Sequence, residues 1–159
     1  VISAYAPQAG LDEENFWEVL DEVVRGVTST EMFFIEGDFN GHIGSLSRGY
    51  DDVHSGCGFS FGEQNEGGAS LLDFSRVFGL WVANSSFPMR EERLITFRTS
   101  MAKTQIDFLH LRKGDRVICK DCTAIPSENL LTQHRLLVMD LVIYKGKKKR
   151  SVETGLKIK

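Results

Sequence analysis

The chain has 159 residues, of which 42% are hydrophobic and 26% are charged. This length suits one domain with a buried core, and the composition excludes a disordered or low-complexity protein. No stretch approaches the roughly 18 consecutive apolar residues that a transmembrane helix needs. The three cysteines exclude a disulfide scaffold. The chain opens at a Val with no secretory leader pattern, so we expect a nuclear or cytoplasmic protein that is not secreted and that is a fragment of a longer chain.

The net charge of −3 is distributed unevenly. Residues 145–159 contain seven Lys or Arg and one Glu, which gives this segment a net charge near +6 and leaves about −9 on residues 1–144. We interpret 1–144 as the folded domain and 145–159 as a basic tail or linker. The acidic body argues against broad nonspecific contact with phosphates, whereas the tail could supply such attraction or act as a nuclear address.

Strands and a helix alternate at the start of the sequence. Residues 1–7 predict a strand, and residues 12–27 predict a helix that Asp12 caps. Residues 31–36 predict a second strand, buried on both faces, and this order of elements is typical of an α/β fold. The helix is predicted from apolar residues at helical spacing, which are Phe16, Val19, Leu20, Val23, Val24 and Val27.

The remainder predicts one more helix and several short strands. A Gly-rich polar segment extends to about residue 66, and a helix is expected over 67–78, ended by Gly79. Cys119 and Cys122 lie three apart on a predicted strand, so they would point to opposite faces and form no zinc site. The strands expected after the helix are 80–84, 94–99, 105–111, 116–124 and 134–144.

The most distinctive local feature follows the second strand, in the sequence GDFNGHIG at 37–44. Asp38 and Asn40 are two residues apart, so on an extended segment both would point the same way at the end of a strand, where ligands of α/β sheets commonly bind. A carboxylate there can activate water or bind a cation, and an amide can orient a phosphate. The alternative is an Asx turn that only satisfies its own backbone.

A second pair of residues comes from later strands. Asp107 has apolar neighbours in QIDFLHL, and an ionised carboxylate in such surroundings needs a partner. His134 opens the last predicted strand, and a His beside a buried Asp gains a fixed tautomer and a stabilised imidazolium. Each residue alone is more often structural, so their order after Asp38 and Asn40 carries the functional interpretation.

Four motifs in order, YAP, GDFN, QID and a His before an apolar strand, resemble the endonuclease/exonuclease/phosphatase superfamily with its DNase I-like fold. The likeness is greatest to endonuclease domains of LINE-type retrotransposons and to the craniofacial development protein 2-like chains derived from them. It extends from residue 1 to about 144. The resemblance implies an α/β fold, the later part of a four-layer sandwich with mixed sheets, and a phosphodiesterase that cuts DNA with Mg²⁺.

The resemblance also implies roles for individual residues. Tyr5 would contact the scissile phosphate, and Asp38 would position or deprotonate the attacking water. Asn40 would hold Asp38 and a phosphate oxygen, and these two residues would be metal ligands. Asp107 would orient His134, which would stabilise charge on the phosphorane or serve as the base.

Two further residues and two departures complete this comparison. Thr96 and Phe97 match a segment that lines the substrate pocket in relatives, although Phe97 is equally well interpreted as a core residue. An Asn and the principal metal-binding Glu of the family normally precede the YAP motif, at which this sequence begins. The triplet at 132–134 is Thr-Gln-His where the family usually has Ser-Asp-His.

These departures predict weak or absent catalysis by this chain. The alternative function is a noncatalytic remnant that binds a protein or DNA. The last strand, 134–144, would expose an unpaired edge and apolar surface, so we expect self-association or a protein partner there.

Overall fold

A computed structural model describes residues 1–8, 10–45, 49–54, 60–126 and 133–143. The predicted tail 145–159 lies outside these ranges, so the proposed boundary at residue 144 stays a prediction. The strands are β1 (Ile2–Tyr5), β2 (Phe34–Asp38), β3 (Leu80–Val82), β4 (Phe97–Arg98), β5 (Lys103–Thr104), β6 (Asp107–Arg112), β7 (Cys119–Ala124) and β8 (Leu137–Leu141). The helices are α1 (Leu11–Gly26), α2 (Glu66–Val77) and α3 (Glu91–Leu94), with 3-10 helices at Ala83–Ser85 and Lys113–Ile118.

The central sheet of the described residues has the strand order β1-β2-β6-β3. β1 is parallel to β2, because α1 connects them as a crossover, and β6 is antiparallel to both β2 and β3. The prediction of a mixed α/β arrangement is therefore confirmed. β4 and β5 form a separate short antiparallel pair, as do β7 and β8.

The helices α1 and α2 contribute to a core on one face of the central sheet. Leu20 of α1 and Leu71 of α2 are buried there with Ile35 and Phe108 of the sheet. The apolar stripe of α1 is narrower than predicted, since the side chains of Val19 and Val23 are 52% and 46% exposed.

The start of α1 also differs from the prediction. The helix begins at Leu11 and its cap residue is Gly10, whose φ of 106° lies in a region that favours glycine. Asp12 therefore lies in the first turn instead of capping the helix. It still interacts favourably there with the helix dipole, together with Glu13 and Glu14.

A second core fills the space between the other face of the sheet and the β7–β8 pair. Trp81 and Leu111 of the sheet pack there with Ile118, Cys119 and Cys122. The prediction that the two cysteines point to opposite faces is wrong, because a bulge between Cys119 and Asp121 shifts the register of β7. Burial raises the pKa of both thiols, so they are inert core residues.

The strand β8 has no fully buried residue. Its partner among the described residues is β7, and it is shorter than the predicted 134–144. Leu137 and Met139 line an apolar groove of about 580 Å³ together with Phe34 and Leu109 of the central sheet. On the opposite face of β8, Val138 is 39% exposed.

Two other strands depart from their predicted bounds. β2 begins three residues later than the expected 31–36, and it is buried on one face only, because its other face borders the apolar groove. The predicted strand 105–111 corresponds to β6, which begins two residues later, because Gln105 and Ile106 lie between β5 and β6. In the part of the chain that the structure describes, no helix is long and apolar enough to cross a membrane.

Candidate active site

Three adjacent strands bring Tyr5, Asp38 and Asp107 side by side. Tyr5 of β1 is the register partner of Asp38 on β2, and Asp38 is in turn the partner of Asp107 on β6. Neighbouring strands lie about 4.8 Å apart, so the register alone places these residues next to each other at one end of the sheet. The site therefore lies at the carboxyl ends of the parallel strands β1 and β2, as expected for a ligand site in an α/β fold.

Asp38 and Asn40 form an Asx turn and also face the site. The backbone N–H of Asn40 donates to Asp38 Oδ1 at 2.9 Å, and Asn40 has a φ of 49°, which Asn tolerates better than most residues. Asn40 Nδ2 donates to the carbonyl oxygen of Ala6 at 2.6 Å, which fixes the amide across the end of β1. The two interpretations of this motif are thus compatible, because Asp38 uses one oxygen for the turn and directs Oδ2 towards His134.

The glycine that follows Asn40 allows the next segment to pack directly on α2. A Cβ atom at Gly41 would lie 2.5 Å from the carbonyl carbon of Gly67, a contact that backbone atoms cannot accommodate. Asn65 reinforces this junction, because its Oδ1 accepts from the N–H groups of His42 and Gly68 at 2.8 and 2.9 Å. The Gly-rich sequence after Asn40 therefore serves to seat the site loop against a helix.

His134 lies between the two carboxylates. Its Nδ1 is 3.1 Å from Asp107 Oδ2, and its Nε2 is 3.8 Å from Asp38 Oδ2. The Asp107 carboxylate is the nearer partner and orients the ring, which leaves Nε2 directed to Asp38. The His134 side chain is 42% exposed, whereas Asp38 and Asp107 are mostly buried, so the imidazole is the accessible member of the three.

Burial raises the pKa of Asp107 above its usual value, while hydrogen bonds from Thr96 and His134 act against this shift. Thr96 itself is fully buried, and its Oγ1 accepts from the N–H groups of Ile106 and Asp107, each at 3.0 Å. Thr96 is not among the residues that line the cleft, and its expected contact with the substrate stays a prediction. The structure places it beneath Asp107, because the end of β6 needs a hydrogen-bonding partner there.

The short strand β4 holds His134 in place. Phe97 forms an isolated antiparallel bridge with His134, and hydrogen bonds join Arg98 N to Gln133 O at 2.9 Å and Arg135 N to Thr96 O at 2.7 Å. The rings of Phe97 and His134 also meet edge to face, with centroids 4.8 Å apart. Phe97 is thus a cleft residue that contacts His134 and not a core residue.

An open cleft of about 500 Å³ lies over these groups. Five of the seven site residues expected from the sequence line it, and Asp107 and Thr96 lie outside its lining. The five are Tyr5, Asp38, Asn40, Phe97 and His134. The cleft is also lined by five residues that were not predicted, which are Gln8, His42, Thr104, Ile106 and Gln133. Gln8 directly follows the YAP motif and His42 lies just after GDFN, so proximity in sequence could have indicated both. Thr132 of the Thr-Gln-His triplet lies outside the described residues.

One group of side chains in the described part of the chain could hold a metal ion, and it consists of Asp38, Asp107 and His134. Each of them offers one ligand atom, and these atoms lie within 4.8 Å of one another. The donor set is only partly suited to Mg²⁺, which prefers oxygen ligands. Asp107 already contacts His134, and Asp38 Oδ1 accepts from Asn40 N. Asp38 Oδ2 is therefore the carboxylate oxygen best placed for a cation, and a magnesium site with one carboxylate, water and substrate phosphate oxygens is chemically reasonable.

Comparison with known proteins adds evidence at the level of sequence and of fold. No family model matches the chain. Craniofacial development protein 2 of Tragulus javanicus and that of Bos taurus are each 28% identical to it over 144 residues. The endonuclease domain of TRAS1, a telomere-specific non-LTR retrotransposon, superimposes with a TM-score of 0.61 at 13% identity and covers 86% of this chain. The chain is therefore similar in sequence to craniofacial development protein 2, and its fold is that of the TRAS1 endonuclease domain, a DNase I-like α/β fold.

The matched proteins are longer than this chain. The aligned region covers 87% of the chain but only 24% of each craniofacial development protein 2. It covers 52% of the TRAS1 endonuclease domain. The chain therefore spans about a quarter of its curated relatives and about half of the structural match.

Proposed function

We propose that the chain is a Mg²⁺-dependent endonuclease-type phosphodiesterase domain of retrotransposon origin that acts on DNA. The observation that carries the proposal is the position of His134, which is exposed at an open cleft and held between Asp38 and Asp107. Two carboxylates around one imidazole provide both a proton acceptor and a cation that can face a phosphate. A nuclear or cytoplasmic location is part of this proposal.

The attacking group in the proposed reaction is a water molecule between Asp38 and His134. The 3.8 Å separation of His134 Nε2 from Asp38 Oδ2 is longer than a hydrogen bond, so one water on the cleft side can contact both atoms. Asp38 positions this water or accepts its proton. His134, with Nδ1–H donated to Asp107, accepts the proton or, as an imidazolium, stabilises the charge that develops on the phosphate.

The other cleft residues bind and orient the phosphate. The Tyr5 side chain is 73% exposed beside Asp38, so its hydroxyl can donate to a phosphate oxygen. The Asn40 amide, fixed at Ala6, borders the same space. Asp38 Oδ2, with Asn40 beside it, would hold Mg²⁺, which when bound neutralises charge on the phosphate and the leaving oxygen.

Basic residues at the rim support a nucleic-acid substrate. Arg98 and Lys103 are opposite each other on β4 and β5, and both are exposed next to Phe97 of the cleft. Two cations on a short hairpin can contact phosphates that flank the one at the site. The half-buried Phe97 ring, which lines the cleft beside them, can stack on a sugar or base.

We expect residues 1–159 to be weakly active. Among the described residues, Asp38 is the single carboxylate that lines the cleft. Gln133 borders the cleft without adding a charge. A magnesium ion held by one carboxylate binds loosely, so high Mg²⁺ concentrations should be needed.

Plasmid nicking tests the proposal. Purified residues 1–159 are incubated with supercoiled plasmid and with an abasic oligonucleotide, in Mg²⁺ or in EDTA. Asp38→Asn and His134→Ala are compared with Asp12→Asn, which changes an exposed carboxylate on α1. Nicking that requires Mg²⁺, survives in Asp12→Asn and disappears in the other two variants supports the proposal. Folded wild-type protein without nicking at any Mg²⁺ concentration contradicts it.

A noncatalytic role in self-association is a second candidate, and the composition of β8 favours it. Leu137, Met139 and Leu141 give β8 an apolar face that lines an open groove, and β8 has one partner strand among the described residues. Leu136 and Ile143, just beyond its ends, are 62% and 63% exposed. We propose a second copy of this chain as the partner at this edge, where exposed strands pair readily.

A further inference from the structure

Asn84 holds the part of β6 that extends beyond its neighbouring strand. β3 pairs with β6 as far as Val82, which is opposite His110, and the chain then turns into the 3-10 helix Ala83–Ser85. β6 continues for three more residues, to Asp107. The Asn84 side chain reaches this segment, because its Nδ2 donates to the carbonyl oxygen of Asp107 and its Oδ1 accepts from Leu109 N–H, both at 3.0 Å.

The carboxamide of Asn84 substitutes for a peptide group of a strand. It has one carbonyl acceptor and an N–H donor, the same pair that a strand would offer to β6. Asn84 is only 4% exposed, so water cannot replace it easily. Leaving the Asp107 carbonyl and the Leu109 N–H without a partner in this buried setting would therefore be costly, and the end of β6 would shift to recover hydrogen bonds.

The same contact fixes the main chain of a site residue. The N–H of Asp107 donates to Thr96 Oγ1, and its carbonyl oxygen accepts from Asn84 Nδ2, so both polar groups of its backbone are held by side chains. The carboxylate of Asp107 then meets His134 Nδ1 at 3.1 Å. A displacement at Asn84 is thus transmitted through one residue to the imidazole.

Gln105 ties this arrangement to a loop above it. Its Nε2 donates to the carbonyl oxygen of Asn84 at 3.2 Å, and its Oε1 accepts from Phe61 N–H at 3.0 Å. Gln105 is 1% exposed, so both bonds are shielded from water. The position of Asn84 is itself constrained, which a positioning residue requires.

We propose that Asn84 is a positioning residue of the proposed nuclease site: it sets the location of Asp107, and through it the orientation of His134. The role rests on the proposed function for its effect on catalysis. Its structural part, the orientation of the imidazole, exists whether or not the chain cleaves DNA.

The test compares Asn84→Ala with Ser85→Ala. Ser85 is a matched control, because it is fully buried in the same 3-10 helix and its Oγ donates at 3.2 Å to Val82 O on β3, three residues earlier in the chain. Unfolding by urea gives the stability of each variant, and rates are measured where both are folded. We expect kcat of Asn84→Ala to fall about tenfold to a hundredfold, because displacements near 1 Å have such effects, with KM nearly unchanged. Ser85→Ala should retain the wild-type kcat.

Imidazole ¹⁵N shifts give a readout that needs no activity. Asp107 favours the His134 tautomer with the proton on Nδ1, and that preference should weaken in Asn84→Ala and persist in Ser85→Ala. An unchanged tautomer in Asn84→Ala, or equal changes in both variants, overturns the proposal. A wild-type protein that does not nick DNA would contradict the proposed function, while the tautomer comparison would still decide the positioning role.

Asn84→Asp keeps the test decisive if the Ala variant does not fold. The introduced carboxyl group retains an acceptor for Leu109 N–H, but when ionised it cannot donate to the Asp107 carbonyl. The ratio of its tautomer preference to that of the wild type should therefore decline as the pH rises. A ratio that stays constant across the titration of the introduced carboxyl group contradicts the proposal.

Discussion

Acid should destabilise the domain through His110, and the structure gives the size of the effect. His110 lies on β6 opposite Ile35, is 1% exposed and contacts the Phe39 ring edge to face. Burial lowers its pKa from 6.5 to about 4. The unfolded chain therefore binds a proton between these values that the native protein excludes, so stability is present above pH 6.5 and is lost as the pH falls towards 4.

The expected magnitude follows from that difference in pKa. Each pKa unit corresponds to about 1.4 kcal/mol, so the complete loss below pH 4 is about 3 kcal/mol. At pH 5 about 2 kcal/mol of this stability has already been lost, which is a large fraction of the stability of a small domain. The assay is urea unfolding followed by Trp fluorescence at pH 7.5, 6, 5 and 4.5.

His110→Leu isolates this contribution, because it removes the titrating ring and keeps an apolar side chain of similar size. The difference in unfolding free energy between wild type and variant should change by about 2 kcal/mol between pH 7.5 and 5, in favour of the variant. A difference that stays constant with pH would refute the reasoning, since it would mean that His110 titrates alike in both states. The result also bears on activity, because a nicking rate that falls below pH 6 can report unfolding as well as protonation at the site.

Further predictions concern the site and the exposed strand. Burial raises the pKa of Asp107, so the stabilising contribution of its neutral form is present below pH 3.8 and is lost as the pH rises through the raised pKa. In urea unfolding at pH 7, Asp107→Asn should therefore be at least as stable as wild type. The same variant should nick DNA at least tenfold more slowly. Titration with Mg²⁺ should shift the amide NMR signals next to Asp38 with a dissociation constant in the millimolar range, and Asp38→Asn should abolish the shifts, whereas equal shifts in both proteins would remove Asp38 from the metal site. Replacing Arg98 and Lys103 by Ala should weaken DNA binding for all sequences and reduce the slope of log K against log salt by about 2, as measured by fluorescence anisotropy; an unchanged slope would exclude the hairpin from the interface. Val138→Lys should reduce concentration-dependent self-association in sedimentation experiments, and wild-type protein that is monomeric at high concentration would contradict the role of β8.

Local patterns predicted the elements of the fold well where one physical effect dominates. The helix at 67–78 appears one residue earlier as α2, because the apolar period and the terminal Gly79 both determine it. The stripe of α1 was predicted too wide, since the sequence does not show how much of the helix the sheet covers; Val19 and Val23 face outwards. The bulge in β7 was not predictable either, because it arises from pairing with β8, a strand distant in sequence.

Motif order predicted residues that lie close together in the structure, but not which of them line the cleft. Asp38 and Asp107 come together because β2 and β6 pair in a register that the sequence does not specify. Thr96 and Phe97 are adjacent in sequence and point in opposite directions, as neighbours on a strand do: Phe97 borders the cleft, and Thr96 lies beneath Asp107. The backbone geometry therefore separates the two residues, and the substrate contact expected for each of them stays a prediction.

The contacts that support the site could not be predicted from the sequence, for a related reason. Asn84 resembles a loop residue, because it follows a short strand and precedes two serines. Its importance arises only when β3 ends before β6 does, so that a side chain must satisfy the backbone of β6. Where a strand extends beyond its neighbour next to a reactive group, a side chain must satisfy the hydrogen bonds of the unpaired backbone. Buried amides that bridge an unpaired strand end beside a candidate site are therefore good places to search for positioning residues in domains of this fold.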